Sequence, residues 1–417
     1  MNKALLIAYH YPPVRVSSGV QRTLAFSKYL PENGWLPLIL TAHPRAYVAV
    51  SNDQLKDIPD DVVVRRAFAL DSARHFSFKG RYLGWMALPD RWVSWWIGAV
   101  FSGLKMIRKE KPSVLFTTYP IATAHLVGLT LHRLTGLPWV ADFRDSMFDD
   151  ESALPRQQKV IFEWIDRKTA ENCAAAIFTT PGAVELYKRR YPHLSDDKWH
   201  LIPNGYNEEI FQDVEREQGV TPDIIGRPLN LIHSGVLYPS ERDPRPFFQA
   251  IAELKAEGEL SAQRACIVLR ATGHDELYKQ LLKNIEIEDI VKLAPGVSYR
   301  EALSEMLQAD GLLIFQASNC NHQVPAKLYE YFRAKRPILA LTDKQGDTAK
   351  TLTESGVKTV VALDDKEAIK TTLLNFIYTL EKGEGEIVSE EIMNQYSRRS
   401  ASKKLGELFH QVVCLQK

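Results

Sequence analysis

The chain has 417 residues, of which 45% are hydrophobic and 25% are charged, and its formal net charge is +1 at pH 7. This length and composition predict a globular protein of two or three domains and argue against a general nucleic-acid binder. Residues 1–110 carry 15 Lys and Arg against 8 Asp and Glu, so the rest of the chain is acidic. A basic amino-terminal part suits an anionic acceptor or a bilayer surface, and a solvated charge imbalance explains it equally well.

The four cysteines are far apart in the sequence and form no Cys-x-x-Cys pair, which favours a reducing compartment over a disulfide framework or a zinc site. The apolar run at the amino terminus is too short for a signal peptide and is predicted to be a strand. No stretch offers the ~20 apolar residues of a transmembrane helix. We therefore expect a cytoplasmic protein.

Apolar, strand-like runs alternate with helical patterns along almost the whole chain, which is typical of parallel α/β folds. Helical patterns include Gly19–Leu30 and Gln158–Asn172. The pattern predicts two Rossmann-like halves. Strands are predicted in the first half at Ala4–Tyr9, Pro37–Thr41, Val62–Arg66, Val114–Thr118, Trp139–Phe143 and Ala175–Thr179, and in the second half at Leu229–His233, Ala265–Arg270, Ile290–Leu293, Gly311–Phe315 and Pro337–Leu341.

A strong turn signal, Asn204-Gly205, is followed by a polar stretch that predicts a domain boundary. We predict an amino-terminal domain over residues 1–205, a linker over 206–228 and a second domain over 229–389. A last helical pattern, Glu390–Val413, has no strand after it, so residues 390–417 form a separate carboxy-terminal helix in this prediction.

The first predicted strand runs into a Tyr-Pro-Pro loop and then a helix near Gly19. Such a loop places backbone amides at the carboxyl end of the sheet, where open α/β sheets bind ligands. Gly19 is the candidate ligand contact, and Arg22 is interpreted as a helix-surface charge. The dinucleotide signature Gly-x-Gly-x-x-Gly does not occur.

A second polar group ends the predicted strand Trp139–Phe143, in the string Ala-Asp142-Phe-Arg144-Asp. A carboxylate and a guanidinium at a strand end can orient the hydroxyl group of an acceptor substrate or stabilise charge on a donor substrate. A structural ion pair that closes the loop explains the string equally well. His125, alone on a predicted helix, is expected to be structural.

Tryptophans cluster beside basic residues between positions 85 and 111. Such a combination on one amphipathic helix is typical of an interfacial membrane contact, and a tryptophan-rich core helix is an equally good interpretation. The residues are Trp85, Trp92, Trp95 and Trp96, with Arg91, Lys105, Arg108, Lys109 and Lys111.

The segment Val324–Leu341 carries the most specific pattern. A polar loop ends at Pro325 and opens a short helix, and proline suits the first turn because its missing N–H costs nothing there. The free N–H groups of that turn bind anions. Glu330 lies about one and a half turns into the helix, where a carboxylate can accept hydrogen bonds from a ribose. The pattern predicts a nucleoside diphosphate site, with an ordinary amphipathic helix as the alternative.

This string resembles the donor-site motif of glycosyltransferase family 4, whose members have the GT-B fold and use sugar nucleotides. The strand that ends at Ser234-Gly235, with Arg242 and Arg245 after it, resembles the family's strand-loop-helix. The resemblance implies that positioned cations stabilise the leaving nucleoside diphosphate. Arg242, preferred to Arg245, and Lys327 are the candidates.

Further site residues follow from the same resemblance. The Asp-Phe-Arg-Asp string resembles one in a branch of the family, which makes Asp142 and Arg144 candidate catalytic residues. His322 occupies the slot of the first acid of the family's Glu-x7-Glu arrangement, so it either contacts the sugar or a phosphate or is a plain loop histidine. The implied donor-binding residues are Gly19, Ser234, Gly235, Arg245, Val297, Tyr299, His322, Val324, Pro325, Ala326, Leu328 and Glu330, with Val297 and Tyr299 at the nucleobase.

The resemblance implies an α/β GT-B fold, with two Rossmann-like domains, a cleft between them and the carboxy-terminal helix packed back on the first domain. It further implies a retaining, metal-independent glycosyltransferase that needs no cofactor and moves a sugar from a nucleoside-diphosphate sugar to a glycan or lipid-linked glycan for cell-surface polysaccharide. We expect a peripheral contact with the inner membrane face and no nucleic-acid partner. Two alternatives stay open: a GT-B sugar-nucleotide 2-epimerase and a non-catalytic GT-B subunit.

Overall fold

A computed structural model describes residues 1–15, 17–52, 54–77, 83–148, 155–217 and 226–415, with the backbone alone at Ser17, Ser18 and Trp85. The chain divides into two compact units. The first unit comprises Met1–Asn204 and Arg398–Lys417, and the second comprises Gly205–Ser397.

The first unit contains a seven-stranded sheet of parallel strands in the order β3-β2-β1-β4-β5-β6-β7. Its elements in chain order are β1 Asn2–Ile7, α1 Ser17–Tyr29, β2 Trp35–Ala42, β3 Val63–Ala67, α2 Ser72–His75, α3 Ser94–Glu110, β4 Val114–Thr118, α4 Ala122–Thr135, β5 Trp139–Arg144, α5 Arg156–Asn172, β6 Ala175–Phe178, α6 Pro181–Arg190 and β7 Trp199–Leu201.

The central strands of this sheet are mostly apolar because helices cover both faces. Every residue of β4, β5 and β6 is buried, which explains why continuous apolar runs located these strands in the sequence. The strand order reverses between the neighbours β1 and β4. The loops that follow these two strands therefore flank the crevice where open α/β sheets bind ligands.

The second unit contains a six-stranded sheet of parallel strands in the order β10-β9-β8-β11-β12-β13. Its order reverses between β8 and β11, so the ends of these two strands mark the second crevice. Its elements are α7 Glu208–Glu217, β8 Leu229–Ser234, α8 Arg245–Ala256, β9 Ala265–Arg270, α9 Asp275–Asn284, β10 Val291–Ala294, α10 Tyr299–Gln308, β11 Gly311–Gln316, α11 Lys327–Ala334, β12 Ile338–Thr342, α12 Asp347–Glu354, β13 Val360–Val361, α13 Lys366–Glu381 and α14 Glu390–Gln395.

The predicted linker over 206–228 is wrong for residues 206–217, which belong to the second unit and include helix α7, Glu208–Glu217. Phe211 and Val214, one turn apart, are buried in a core cluster with Tyr206. Arg333 forms ion pairs with two acids of α7, Glu208 and Glu215, across the same contact. Residues 218–225 lie outside the described residues.

The predicted carboxy-terminal helix is interrupted, and only its second part belongs to the first unit. Helix α14 stays in the second unit, while α15, Arg398–Cys414, packs with the first. The indole N–H of Trp35 donates to the Gly406 carbonyl oxygen at 3.1 Å, and its ring centroid lies 5.3 Å from that of Phe409. The contact with the first unit therefore begins at Arg398, and not at residue 390.

Candidate functional site

The site predicted in the second unit is built around the start of α11. The side chains of Val324 and Leu328 are buried in a core cluster, so these two residues can offer a ligand only their backbone groups. Pro325 and Ala326 between them are partly exposed. The backbone N–H groups of Leu328 and Tyr329 donate to the carbonyl oxygens of Pro325 and Ala326 at 2.9 and 3.3 Å, so the N–H groups of Ala326 and Lys327 are the ones at this helix start that suit an anion.

Gly235 lies at the end of β8 and passes directly over the side chain of Lys327. Its φ is +130°, a conformation that strongly favours glycine, and a Cβ at this position would lie 2.4 Å from Lys327 Nζ. The neighbouring Ser234 N–H donates to the hydroxyl of Tyr331 on α11 at 3.1 Å. The end of β8 is therefore fixed to α11, and the missing side chain of Gly235 leaves room for the lysine amine.

Lys327 is a partly buried cation whose charge is weakly compensated. Burial and the nearby Arg242 lower its pKa to about 7, and Glu330 opposes the shift. The amine lies 3.4 Å from Nε2 of His233, a buried residue that sequence reasoning missed because it reads as an ordinary member of an apolar strand. An incoming phosphate would supply the negative charge that this amine lacks.

The two candidate arginines differ in how their charges are balanced. Arg242 donates from Nη1 to the carbonyl oxygen of Val236 at 2.9 Å, which keeps the guanidinium beside the Gly235 turn. The guanidinium of Arg245 is exposed and is held by both carboxylate oxygens of Asp243, at 2.8 and 2.9 Å from Nε. Arg242 is thus the arginine whose charge is available at the turn, which agrees with its preference over Arg245.

Glu330 is held by Tyr299, whose hydroxyl donates to Oε1 at 2.7 Å. Tyr299 is fixed in turn because α10 begins there with a capping box, in which Ser298 and Glu301 exchange side-chain and backbone hydrogen bonds. Val297, just before this cap, is exposed. The predicted nucleobase segment and the predicted ribose acid are therefore in direct contact, through the Tyr299 side chain.

His322 lies partly buried in the loop between β11 and α11. This loop is organised by Gln316, whose side-chain amide donates to the carbonyl oxygens of Cys320 and Gln323 at 2.8 and 3.0 Å. The loop conformation is therefore fixed by backbone contacts around His322, and a ligand contact of its side chain stays a prediction.

The first unit has a small pocket at the switch point between β1 and β4, lined by Tyr9, His10, Gly19, Thr118 and Tyr119 among others. Gly19 is buried here in the first turn of α1, as a ligand-facing glycine would be. Nδ1 of His10 is buried and has no hydrogen-bond partner among the described residues. Burial, reinforced by the charge of Arg144, lowers the pKa of His10 to about 4, so its ring is neutral at pH 7.

Asp142 pairs with Arg22, and not with the neighbouring Arg144. Nε and Nη2 of Arg22 each donate to the Asp142 carboxylate at 3.0 Å, and the Thr118 hydroxyl donates to it at 2.8 Å. Arg22 is 5% exposed and Asp142 is 0% exposed. The interpretation of Arg22 as a surface charge is therefore wrong, because its partner lies 120 positions away and leaves no local signal. The carboxylate of Asp142 is occupied by protein donors.

Arg144 has a left-handed backbone, with φ at +65°, which is uncommon for a residue with a side chain. The cause is a register shift between Asp142 and Arg144 in the pairing of β5 with β6. This shift directs Nη1 of Arg144 to the carbonyl oxygen of Tyr119 at 3.3 Å, at the end of β4. Burial lowers the pKa of Arg144. Both predicted residues contact the lining of the pocket, Arg144 through Tyr119 and Asp142 through Thr118, but the Asp142 carboxylate is already occupied by protein donors.

The tryptophan cluster is mainly a core element. Trp95 is fully buried, Trp92 packs against the core, and Trp96 donates from its indole N–H to Thr130 Oγ1 at 3.0 Å. The most exposed apolar side chains of α3 are instead Ile97 and Phe101, at 63% and 69%. The side chain of Trp85 lies outside the described residues. None of the helices in the described ranges has the length and apolar character needed to span a membrane.

In the part of the chain that the structure describes, no group of three or more His, Cys, Asp or Glu side chains is arranged to hold a metal ion. The four cysteines, Cys173, Cys266, Cys320 and Cys414, are free thiols.

Comparisons with known proteins match this arrangement. A family model described as a glycosyl transferase 4-like domain matches residues 19–205. No curated protein sequence matches the chain. Sucrose-phosphate synthase from Thermosynechococcus elongatus is similar in structure over 100% of both chains, with 14% identity and a TM-score of 0.69.

Two further solved structures are similar over almost their whole length. HepE from Anabaena, in complex with UDP and glucose, matches 99% of this chain and 100% of its own, with 12% identity and a TM-score of 0.65. UDP-GlcNAc 2-epimerase from Neisseria meningitidis, bound to UDP-GlcNAc, matches 98% of this chain and 100% of its own, with 11% identity and a TM-score of 0.55. At such identities the similarity shows the fold alone.

The fold is therefore the α/β GT-B fold with two Rossmann-like domains, as predicted. The predicted resemblance to glycosyltransferase family 4 is confirmed by the match of residues 19–205 to the model of a glycosyl transferase 4-like domain.

Proposed function

We propose that this protein is a retaining glycosyltransferase that moves a sugar from a nucleoside-diphosphate sugar onto a glycan or lipid-linked glycan, in the synthesis of cell-surface polysaccharide. The observation that carries the proposal is the position of the Lys327 amine beneath the Gly235 turn, next to the charge of Arg242. Two cations and the first turn of α11 suit a diphosphate, and Glu330 nearby suits a ribose.

The same residues suit the chemistry of sugar transfer. A leaving nucleoside diphosphate gains negative charge as the glycosidic bond breaks, and Lys327 and Arg242 would stabilise it. Glu330, the carboxylate that acts on Lys327 here, is held by the Tyr299 hydroxyl at 2.7 Å and is assigned to the ribose and not to nucleophilic attack. We therefore propose a front-face reaction, in which the departing β-phosphate accepts the proton of the acceptor hydroxyl. Because the two side chains supply the positive charge, we expect activity to survive a metal chelator.

The structural neighbours support a sugar-nucleotide donor. HepE was solved with UDP and glucose, and the Neisseria epimerase with UDP-GlcNAc. These ligands belong to those proteins.

In the first unit we assign the ligand contacts to the pocket around Gly19, His10 and Arg144. Asp142 supports this pocket through Arg22 and Thr118, and does not itself meet the substrate. This assignment replaces the catalytic role that the sequence motif implied for Asp142.

We further propose that α3 docks on an anionic membrane surface. The exposed Ile97 and Phe101 are followed on the same face by the exposed Lys105 and Arg108, at spacings of one helical turn. The double variant Ile97→Glu/Phe101→Glu should lose co-sedimentation with phosphatidylglycerol vesicles, while Leu277→Glu, at an exposed position of the second unit, should not. Equal binding to phosphatidylcholine vesicles, or no loss in the double variant, would contradict the proposal.

The function is tested by nucleotide release from UDP-, GDP- and ADP-sugars in the presence of glycan and lipid-linked acceptor preparations. One donor should give acceptor-dependent release, and nuclear magnetic resonance of the product should show the donor's anomeric configuration. Lys327→Met should abolish transfer, while Lys283→Met, at an exposed lysine on α9, should leave it unchanged.

The alternatives give different results in the same assay. Epimerised donor formed without any acceptor would identify a sugar-nucleotide 2-epimerase. No nucleotide release with any donor, and no binding of any sugar nucleotide, would identify a non-catalytic subunit.

A further inference from the structure

The amine of Lys327 has an unusual environment for a lysine. It fills the space beneath Gly235, and its Nζ lies within hydrogen-bond distance of the His233 imidazole. A surface lysine would instead extend into water, where its charge is hydrated. The contact with the His233 imidazole therefore fixes the position of this amine.

The ring of His233 is oriented by a backbone contact on its far side. Nδ1 lies 2.9 Å from the carbonyl oxygen of Leu313 on the neighbouring strand β11. A carbonyl oxygen only accepts, so Nδ1 carries the hydrogen, and the neutral ring presents the lone pair of Nε2 to the Lys327 amine 3.4 Å away.

The His233 ring stays neutral despite two carbonyl groups that favour its protonation. The carbonyl oxygens of Leu313 and Gly235 act in that direction, but burial, together with the charges of Lys327 and Arg242, lowers the pKa of His233 well below its usual value. The imidazole is therefore a permanent acceptor for the lysine at neutral pH.

The other charged and titratable groups around Lys327 come from three parts of the unit. Arg242 disfavours its protonation and Glu330 favours it, while the phenol of Tyr331 is held by the Ser234 N–H and has a raised pKa. These opposing effects bring the pKa of Lys327 to about 7, so charged and neutral amine coexist at neutral pH. A bound diphosphate adds negative charge beside the amine and favours the charged form.

We propose that His233 is a positioning residue that holds the Lys327 amine at the diphosphate site, and that binding of a sugar nucleotide is coupled to uptake of one proton by this amine. The proton comes from solvent, forms a new N–H bond on Nζ and leaves again when the diphosphate departs. This inference rests on the proposed function, because it takes the diphosphate as the ligand.

An asparagine variant and a glutamine variant of His233 test its contacts with Leu313 and Lys327 separately. In His233→Asn the amide can still donate to the Leu313 carbonyl oxygen but does not reach the lysine. In His233→Gln the longer side chain brings its amide oxygen to the position of Nε2. We expect about a tenfold loss of affinity in the first variant and recovery in the second, because a hydrogen bond to a charged group is lost and then restored.

The decisive measurement is isothermal titration of UDP-glucose, GDP-mannose and ADP-glucose at pH 8, in buffers of small and large ionisation enthalpy. A sugar diphosphate diester carries no proton of its own near this pH, so the difference in heat counts protons taken up by the protein. The wild type should take up close to one proton per bound donor, and Lys327→Met should take up none. Above pH 7 the wild-type affinity should fall, by at most about tenfold per pH unit, and the fall should begin at lower pH in His233→Asn.

The outcomes of this titration test the proton uptake and the proposed function separately. Binding of a donor without proton uptake, or with the same uptake in Lys327→Met, overturns the inference and leaves the proposed function standing. Binding of none of the three donors refutes the proposed function and the inference together. The comparison of the wild type with Lys327→Met does not depend on whether either His233 variant folds.

Discussion

Removing the carboxylate of Asp142 should destabilise the first unit strongly. Arg22 donates two hydrogen bonds to this carboxylate and two more to the carbonyl oxygens of Ile202 and Pro203, at 2.9 to 3.0 Å. In Asp142→Ala the guanidinium keeps its carbonyl partners but loses its counter-charge in a buried site. Breaking a buried pair from one side costs about 3–5 kcal/mol, which is a large part of the stability of a typical domain.

The stability of the first unit can be measured separately by tryptophan fluorescence. All eight tryptophans of the chain precede residue 200 and lie in the first unit, so tryptophan fluorescence during urea unfolding reports that unit alone. The matched control is Glu32→Ala, which breaks the exposed pair of Glu32 with Arg399, whose side chains are 47% and 62% exposed. The control should change the free energy of unfolding by less than about 1 kcal/mol.

A double variant tests whether the unpaired charge of Arg22 causes the loss of stability. The double change Arg22→Met/Asp142→Leu removes both charges and should recover part of the lost stability, because it avoids the desolvation of two ions but takes the Arg22 donors away from the carbonyl oxygens of Ile202 and Pro203. Asp142→Ala with the unfolding midpoint of the wild type would refute the buried-pair account. Asp142→Asn with wild-type stability and no activity would restore Asp142 as a catalytic residue.

Three further predictions concern single positions. Gly98→Ala should cost about 1–3 kcal/mol in urea unfolding, because the new Cβ would lie 2.4 Å from the carbonyl oxygen of Phe68, and a wild-type midpoint would show that the backbone relaxes freely. Gly235→Ala should weaken donor binding at least tenfold in calorimetry, because the methyl group displaces the Lys327 amine; unchanged affinity would remove the amine from the site. Burial lowers the pKa of His125 to about 3, so this residue contributes stability that is complete above pH 6.5 and is lost at about 1.4 kcal/mol per pH unit as the pH falls toward 3. His125→Asn should flatten this acid dependence of the unfolding free energy, and an unchanged slope would contradict it.

The sequence predicts the central strands well, because strands covered on both faces are mostly apolar. The strands β4 and β9 have the predicted bounds, Val114–Thr118 and Ala265–Arg270. The short edge strands β7 and β13, of three and two residues, were missed because so few residues carry no periodic signal. Helix α7 was missed because its charged residues hide the apolar pair Phe211 and Val214.

Site prediction failed where burial depends on distant contacts. Helical spacing gives no sign that Arg22 meets a carboxylate on β5, and the short string Asp-Phe-Arg-Asp suggests a local pair that the strand geometry separates. His233 looks like any residue of an apolar strand until Lys327, 94 positions later, is placed beside it. The segment Val324–Leu341 was informative because its pattern is local, with a helix start, a lysine and a glutamate within seven residues.

The central claim is that the start of α11 and the Gly235 turn bind a nucleoside diphosphate. Its most direct test is calorimetric titration of the wild type, Lys327→Met and Glu330→Gln with UDP, GDP and ADP. We expect one of the three nucleotides to bind the wild type, with affinity reduced about ten- to a hundredfold in each variant, since each loses a charge-assisted hydrogen bond. Binding of none of the nucleotides, or equal binding by wild type and both variants, would contradict the account.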